Sequence, residues 1–253
     1  MEAAVHAEDA NTGLKALTIA YRDFDTGSFE GMKAAHNNFE DEQTRHMIES
    51  DLTLVASVGL SDPMREGVQE AHTALNEGST NVRIISGDHK MSAMLAAVKM
   101  GIFESMDNEG NVFGSDELLA ELNELMMPAE DTEEGRGVTY VFRNKECKRR
   151  FSDKTNGLKS RVLVVYRATP ELKHKFVCAL RQSKAIVAVT GEGLSDARAI
   201  SEANVGFAMG EDGCAAAKDH ADIILTDDNF LTVVTAIRWG RNIQDNVRKF
   251  VTF

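Results

Sequence analysis

The sequence predicts a doubly wound α/β fold, in which helices cover both faces of a parallel sheet. Three observations predict it. Short apolar runs alternate with helix-length segments over residues 52–101 and again over residues 162–225. Several of these runs are almost continuously apolar, which is typical of strands covered on both faces. Turns that contain glycine join strand to helix at residues 86–88 and 190–196. Such alternation indicates βαβ units and a parallel sheet.

The elements follow one another in a regular order. A strand is predicted at residues 14–21, and a polar, helical or irregular stretch extends from it to residue 50. The run at residues 52–60 predicts a strand covered on both faces. Further strands are predicted at residues 82–85, 162–165, 185–189, 205–208 and 222–225. Helices are predicted at residues 65–77, 91–100, 116–126, 170–183, 195–202 and 231–253, and two of them end at Gly78 and Gly101.

Length and charge limit the classes of function. The 253 residues suggest one large or two small domains. A net charge of −12 argues against binding to duplex nucleic acid, which needs a basic surface. No apolar run reaches membrane-spanning length, and the polar first dozen residues do not resemble a signal peptide. Three cysteines without paired spacing predict a reduced, cytosolic, soluble chain with neither disulfide nor zinc site.

The alternation breaks between residues 103 and 161. This segment carries an acidic cluster at residues 130–134 and a basic cluster at residues 143–150. One helix is predicted within it, with Ser115 as its N-terminal cap. We expect the rest to be an inserted loop or small cap with a solvated charged surface. The final helix runs to residue 253 without a closing glycine or proline, which suggests a helix that has been cut.

Two turns carry residues suited to phosphate and metal chemistry. In doubly wound sheets, ligands bind where the carboxyl ends of strands converge. The turn Ser86-Gly87-Asp88 offers a hydroxyl and backbone amides that can hold phosphate oxygens. The turn at residues 190–196 offers two carboxylates, Glu192 and Asp196, as hard oxygen ligands for Mg²⁺.

A positive charge can come from the helix that follows Pro170. Lys173 and Lys175 lie on that helix, and either can supply a fixed cation for a phosphoryl group. Each of these features also has a structural explanation, because such turns are common and lysines on helices are mostly solvated. Their order and spacing together favour a functional site.

Several motifs make the chain similar to a known family. Asp62-Pro63-Met64-Arg65 resembles the DP-x-R motif of P-type cation-transporting ATPases, and Ser86-Gly87-Asp88 resembles their TGD motif. Residues 190–196 resemble the TGDGxND hinge, and residues 205–210, 223–230 and 239–242 are similar to segments of the family's sequences. The resemblance extends over residues 14–253 and is strongest to calcium pumps of the plasma-membrane type.

The resemblance implies a role for each matching residue. Ser86 is expected to hydrogen-bond the phosphoryl group, with Gly87 in the same turn, and Lys173 to balance its charge. Asp196, together with Glu192, is expected to hold Mg²⁺. The residues expected to face the nucleotide are Asp62, Arg65, Asp88 and, by a short match, Arg22. The cofactors implied are ATP and Mg²⁺, since the complete enzymes transfer the ATP γ-phosphoryl group to an aspartate and thereby drive ion transport.

The resemblance also implies a domain plan. Residues 1–50 would be the C-terminal remnant of a nucleotide-binding domain, and residues 51–240 an incomplete, haloacid-dehalogenase-like phosphorylation domain. Residues 241–253 would begin a stalk helix that leads to a membrane span. The implied partners are ATP and the remaining domains and membrane helices of a pump, at the cytosolic face of a membrane. Calmodulin-type regulation of the complete pump has no visible element in this sequence.

The sequence departs from the family in ways that affect activity. The acceptor motif DKTGT does not occur, and Asp153-Lys154-Thr155 is followed by Asn156 and does not follow an apolar strand. We interpret that triplet as a surface turn. Three positions of the hinge differ from the family, namely Glu192 for aspartate, Ser195 for asparagine and Arg198 for proline. The extra methylene of Glu192 moves its carboxylate by about 1 Å, and Mg²⁺ demands strict geometry.

Three functions are compatible with these observations. The first is part of the ATP-hydrolysing unit of a P-type calcium pump, inactive as this chain alone because the nucleophile is missing. The second is a non-enzymatic paralogue that binds Mg²⁺ or phosphate, or acts as a regulatory decoy of a pump. The third is a stand-alone phosphatase of the haloacid-dehalogenase type, which the missing nucleophile strand disfavours.

Overall fold

The computed structural model describes residues 15–40, 42–60, 63–107, 109–131, 137–155 and 162–253. The chain forms two compact units, Met1–Pro63 and Met64–Phe253. In the first unit, strand β1 (Lys15–Tyr21) pairs antiparallel with β2 (Thr53–Leu60). Between them lie helix α1 (Thr26–Ala35), a short 3₁₀ turn (Asn37–Phe39) and helix α2 (Glu42–Ile48).

Strand β2 corrects two expectations. It is a strand, as predicted, but the expectation that it is covered on both faces is wrong, because Leu54 is 47% exposed and its neighbour Val55 is 60% exposed. A short apolar run does not by itself reveal how many faces are covered. The sequence also predicts that this strand belongs to the second domain, which it expects to begin at residue 51. In the structure it pairs with β1 inside the first unit, which extends to Pro63.

The second unit alternates strands and helices. Its strands, within the described residues, are β3 (Ile84–Ile85), β4 (Val112–Gly114), β5 (Met126–Asp131), β6 (Gly137–Phe142), β7 (Val164–Tyr166), β8 (Ala188–Gly191), β9 (Val205–Met209) and β10 (Ile223–Leu225). The helices are α3 (Val68–Glu77), α4 (Lys90–Met100), α5 (Ser115–Leu125), α6 (Lys145–Thr155), α7 (Pro170–Gln182), α8 (Ala197–Glu202), α9 (Ala215–Asp219) and α10 (Phe230–Thr252).

Parallel pairing is confirmed, but the strands do not form a single sheet. Six of them lie in two three-stranded parallel sheets, with the orders β3-β7-β4 and β10-β9-β8. Strands β5 and β6 form a separate antiparallel hairpin. The unit is therefore a mixed α/β structure with parallel sheets. Strands β3 and β8 are each at an edge of the sheet to which they belong.

The segment at residues 103–161 is not an inserted loop. Its strand β4 pairs with β7 and completes one parallel sheet. Helix α5 buries Leu118, Leu122 and Leu125 in a large hydrophobic cluster of the unit. The charged residues of α5 did not indicate this packing, because amphipathic helices carry charge on the face opposite the core. Most of the basic cluster on and before α6 is exposed, as expected; part of the acidic cluster, including residues 133–134, lies outside the described residues.

Two local assignments within this segment were also wrong. Ser115 is the first residue of α5 rather than its cap, and its buried hydroxyl accepts a hydrogen bond from the backbone N–H of Thr169 at 3.4 Å. Asp153-Lys154-Thr155 forms the last turn of α6 rather than a surface turn. Lys154 pairs with Glu121 at 2.7 Å. The triplet thus lies at the end of a helix, not at the end of a strand.

Strand β8 is displaced from its predicted position. The prediction was residues 185–189, and the strand runs from Ala188 to Gly191. Ile186, the second residue of the apolar run, is 89% exposed. The apolar run therefore begins before the part that pairs with β9, which starts at Ala188.

The long final helix is confirmed. Helix α10 begins after Asn229, whose side chain accepts a hydrogen bond from the N–H of Leu231. Its first half packs on the unit through the buried Val233 and Val234. Within the described residues, no helix has the length and apolar character needed to cross a membrane.

Candidate functional site

A cavity of about 500 Å³ lies where β3 and β8 end. Both strands deliver their following turns to it, and α7 contributes a side chain from its first turn. Six of the residues predicted from the sequence line this cavity, namely Ser86, Gly87, Asp88, Lys173, Glu192 and Asp196. The structure thus brings together three separate stretches of sequence, as the rule for ligand sites at the carboxyl ends of strands predicts.

Lys173 and Asp196 form an ion pair at the wall of the cavity. The Lys173 Nζ lies 2.7 Å from Asp196 Oδ1, and the two side chains are only 15% and 17% exposed. Helix α7 fixes the lysine, because Thr169 caps the helix through the N–H of Leu172 and Pro170 occupies its first turn. A single buried charge is costly, so each partner makes the burial of the other favourable.

The Asp196 carboxylate is held ionised. Burial alone would raise its pKa, but the hydrogen bond and charge of Lys173 outweigh burial, and the N–H groups of Gly193 and Glu192 add to the effect. The pKa of Asp196 is therefore lowered from its ordinary value. Oδ2 accepts from the N–H of Gly193 at 3.1 Å and of Glu192 at 3.3 Å, and Oδ1 accepts from the Ser195 hydroxyl at 3.3 Å.

Gly191 makes this arrangement possible. A Cβ atom at Gly191 would lie 2.5 Å from the Cβ of Asp196 and 3.0 Å from its Cγ. Both distances are shorter than non-bonded carbon atoms allow. The glycine therefore permits the aspartate to fold back over the end of β8, where it meets Lys173.

The turn after β3 is closed by its own side chains. The backbone N–H of Asp88 donates to Ser86 Oγ at 3.0 Å, and Ser86 Oγ donates to Asp88 Oδ2 at 3.2 Å. Backbone bonds from Arg167 to the Asp88 carbonyl and from Ala168 to the Ser86 carbonyl anchor the turn to the residues after β7. The Ser86 hydroxyl is thus positioned at the cavity, although it bonds within the turn in this structure.

The cavity presents donors of the kind that Mg²⁺ prefers. Glu192 is exposed at the cavity, and Asp196 supplies an ionised carboxylate. Carboxylate oxygens are hard ligands suited to this ion. Because four groups already bond the Asp196 oxygens, a cation has to displace one of them, and the Ser195 hydroxyl at 3.3 Å is one of the more distant. The donor set therefore fits a hard divalent cation that would share the Asp196 carboxylate with Lys173.

Lys175 does not belong to the cavity. It is buried on the other side of α7, where its Nζ bonds Glu171 at 2.7 Å and Asn123 at 2.5 Å. The same amine lies 4.3 Å from the centre of the Tyr140 ring. Of the two lysines suggested by the sequence, the structure therefore places only Lys173 at the candidate site.

Of the residues of the second unit expected to face a nucleotide, Asp88 lines the cavity and Arg65 does not. The Arg65 guanidinium bonds the Asp212 carboxylate and the Asp228 carbonyl, the latter at 3.3 Å. In the first unit, Arg22 donates to the carbonyls of Met47 at 3.2 Å and Ser50 at 2.9 Å, and so closes the end of α2. Asp62 lies outside the described residues.

The sequence analysis missed the role of Asp228. Its side chain is fully buried and accepts hydrogen bonds from the backbone N–H groups of Gly210, Glu211 and Asp212. It thereby ties the end of β10 to the loop after β9, to which Arg65 also binds through Asp212. Asp228 lies in the run at residues 223–230 that resembles the family, but a motif match does not reveal which acid is buried.

Comparison with known proteins agrees with the motifs. The family model described as P-type ATPase, cytoplasmic domain N, matches residues 4–67. Plasma membrane calcium-transporting ATPase 4 of Bos taurus is 35% identical over 246 residues, which is 95% of this chain. The chain is related to the P-type cation-transporting ATPases. The resemblance predicted from the motifs is thereby confirmed.

Other relatives give the same result. Human plasma membrane calcium-transporting ATPase 3 is 34% identical over 95% of the chain, and calcium-transporting ATPase 2 of Cryptococcus neoformans is 33% identical over 96% of it. The chain spans only 18% of the length of the human and bovine proteins and 15% of the fungal one.

Proposed function

We propose that this chain is part of the ATP-hydrolysing cytosolic unit of a P-type calcium pump. The cavity between the ends of β3 and β8 would receive the phosphoryl group together with Mg²⁺. One observation carries the proposal: Ser86, Lys173 and Asp196, from three separate stretches of sequence, meet at one cavity, with Lys173 and Asp196 2.7 Å apart. In the complete pump, ATP hydrolysis at this site would drive calcium transport across a membrane.

Each residue at the cavity has a physical reason for its proposed role. The Ser86 hydroxyl and the Gly87 N–H would hydrogen-bond phosphoryl oxygens, once Ser86 leaves its bond to Asp88. Lys173 would neutralise phosphoryl charge in a partly buried place, where charge interactions are stronger than in water. Asp196 and Glu192 would hold Mg²⁺, which when bound supplies further neutralisation of phosphoryl charge.

The nucleophile would come from a strand between β3 and β8. Both are edge strands of their sheets, and both end at the cavity. The exposed Ile186, just before β8, is consistent with an absent neighbour. A parallel strand in this place would join the two sheets and bring an acceptor aspartate to the cavity, as in haloacid-dehalogenase-like phosphorylation domains. The DKTGT motif that would supply it does not occur in the 253 residues.

The units suggest how the proposed domains divide. The first unit, extended to Pro63, would belong to the nucleotide-binding domain, in agreement with the model match at residues 4–67. Arg22, Asp62 and Arg65 would act towards ATP in the complete pump. Residues 64–240 would form the phosphorylation domain, and residues 241–253 would begin the stalk. The partners would be the remaining domains and the membrane helices.

Phosphate-analogue binding tests the proposal. Isothermal titration of orthovanadate into the chain, with and without Mg²⁺, should show binding that requires Mg²⁺. Lys173→Met should weaken binding by about 100-fold, because a positioned charge of this kind contributes about 3 kcal/mol. The matched control is Lys99→Ala, since Lys99 is an exposed helical lysine outside the cavity. Absence of binding, or equal binding by the Lys173→Met variant, would contradict the proposal.

A non-enzymatic binding protein is the second candidate. The observation that favours it is the altered hinge, where Glu192, Ser195 and Arg198 replace the family residues. Both candidates predict Mg²⁺-dependent binding of phosphate. They differ in whether an acceptor strand, supplied separately, becomes phosphorylated, so labelling of an added acceptor segment by radiolabelled ATP separates them.

A further inference from the structure

A second cluster of ligating side chains lies between α7 and α8. It consists of His174, Cys178 and Glu202, whose ligand atoms all lie within 4.8 Å of one another. The His174 Nε2 is 3.7 Å from Glu202 Oε2. None of the three lines the cavity described above. The cluster is therefore a separate feature of the molecule.

The geometry of two helices creates this cluster. His174 and Cys178 are four residues apart on α7, so they project from the same face, one turn above the other. Glu202 is the last residue of α8 and reaches the same place from the neighbouring helix. His174 and Cys178 are buried, and Glu202 is partly exposed, which leaves access from solvent.

Neighbouring side chains already orient the three ligands. Arg181 Nη1 bonds Glu202 Oε1 at 2.7 Å, so Oε2 is turned towards His174. The Tyr140 ring contacts the His174 ring edge-on, with centroids 5.6 Å apart. The Thr139 hydroxyl lies 3.6 Å from the Cys178 sulfur. Such outer contacts are what fix ligands around a bound metal.

The cluster carries charges that a cation can replace. Burial disfavours a charged His174, but its contacts with Cys178 and Glu202 outweigh burial and raise its pKa to about 9. The pKa of Glu202 is lowered, because His174 and Arg181 outweigh the opposing effect of burial. The metal-free cluster thus holds an imidazolium beside a carboxylate.

We propose that His174, Cys178 and Glu202 bind Zn²⁺, with a water molecule as the fourth ligand. Imidazole nitrogen, thiolate sulfur and carboxylate oxygen are all zinc ligands, and three protein ligands with an open fourth position form a known class of site. Thiolate and imidazole favour Zn²⁺ over Mg²⁺ or Ca²⁺. On binding, the imidazolium and the thiol each release one proton to solvent, and the metal takes their place.

The distances allow this site with a small adjustment. Ligand atoms at the usual zinc distances in a tetrahedron lie about 3.4–3.6 Å apart. The His174–Glu202 separation of 3.7 Å is already close to this value. The Cys178 sulfur, which lies within 4.8 Å of the other two ligand atoms, has to approach them by about 1.2 Å at most, which a side-chain adjustment on α7 allows. The sequence prediction of no zinc site considered cysteine spacing alone and did not include ligands from two helices.

The site would join α7, which carries Lys173, to α8, which begins directly after Asp196. Lys173 directly precedes His174 on α7, and Asp196 directly precedes α8, which ends at Glu202. Zinc would therefore cross-link α7 to α8 and stabilise the unit. This inference stands on the cluster itself and does not depend on the proposed function.

Cobalt titration of the full chain tests the proposal. Co²⁺ added to the reduced, chelator-treated protein should produce thiolate-to-cobalt charge-transfer absorption that saturates at one equivalent, and Zn²⁺ should abolish it. Cys178→Ser should remove the absorption, whereas Cys147→Ser, at a partly buried helical cysteine outside the cluster, should keep it. Failure of the unmodified protein to show the absorption, or its survival in Cys178→Ser, would overturn the proposal.

A second variant covers the case in which Cys178→Ser does not fold. Glu202→Gln keeps the size of the side chain and leaves the thiolate in place. It should retain the absorption but weaken Co²⁺ affinity by at least about tenfold. Unchanged affinity in this variant would remove Glu202 from the site and contradict the three-ligand proposal.

Discussion

Replacing Lys173 tests the electrostatic design of the cavity. Lys173→Met keeps most of the aliphatic stem but removes the charge, so the Asp196 carboxylate loses its partner 2.7 Å away. Breaking a fully buried ion pair costs about 3–5 kcal/mol. Both side chains here retain some exposure, and Asp196 keeps its backbone N–H and Ser195 contacts. We therefore expect a smaller loss, about 2 kcal/mol in the free energy of unfolding.

Urea unfolding followed by circular dichroism measures this loss. With a denaturant slope of about 3 kcal/mol per molar, the midpoint should fall by about 0.7 M. The matched control Lys99→Ala should change stability by less than about 0.5 kcal/mol, since its side chain is exposed on α4. A double-mutant cycle with Asp196→Asn isolates the pair itself, and a coupling of about 1.5 kcal/mol is expected.

The sign of the pH dependence follows from the same pair. The pKa of Asp196 is lower in the folded protein than in the unfolded chain. The contribution of Asp196 to stability is therefore complete above its unfolded pKa of about 3.9, and it disappears as the pH falls through its folded pKa. Lys173→Met should therefore reduce the difference in stability between pH 6 and acidic pH. A variant as stable as the Lys99→Ala control, or a coupling near zero, would refute the reasoning.

Three further predictions concern other positions. Glu192→Asp should strengthen Mg²⁺ binding about tenfold in isothermal titration, because the shorter side chain restores the family geometry; unchanged affinity would contradict this. Gly191→Ala should cost about 1–3 kcal/mol of unfolding free energy through the clash with Asp196, whereas Gly240→Ala, with open space around it in α10, should stabilise by about 0.5–1 kcal/mol. Burial lowers the pKa of His72, so stability should fall as the pH drops below about 6.5, and His72→Gln should show a shallower fall in urea unfolding between pH 7 and 5.

Most of the alternation in the second unit was predictable from sequence. The two turns that line the cavity were also predictable, because glycine, short polar side chains and a preceding apolar run are local signals. The cap at Thr169 and the start of α7 at Pro170 are likewise local. These features depend on residues that are neighbours in the chain, which is the information that a sequence carries directly.

The remaining features depend on contacts between distant residues. The partner of a strand decides its sheet, so neither the pairing of β2 with β1 nor that of β4 with β7 could be deduced from local pattern. The same limit applies to the choice between Lys173 and Lys175. Both lie on one helix, and only the position of Asp196 after β8 decides which of them faces the cavity.

One measurement tests the proposed site most directly. The chain is mixed with a segment of a related calcium pump that carries the DKTGT motif, and radiolabelled ATP and Mg²⁺ are added. We predict a hydroxylamine-sensitive label on the added segment, about 100-fold weaker with the Lys173→Met variant, and none on this chain alone. No label on the segment, or a label of equal strength with Lys173→Met, would contradict a phosphoryl-transfer role for the cavity between β3 and β8.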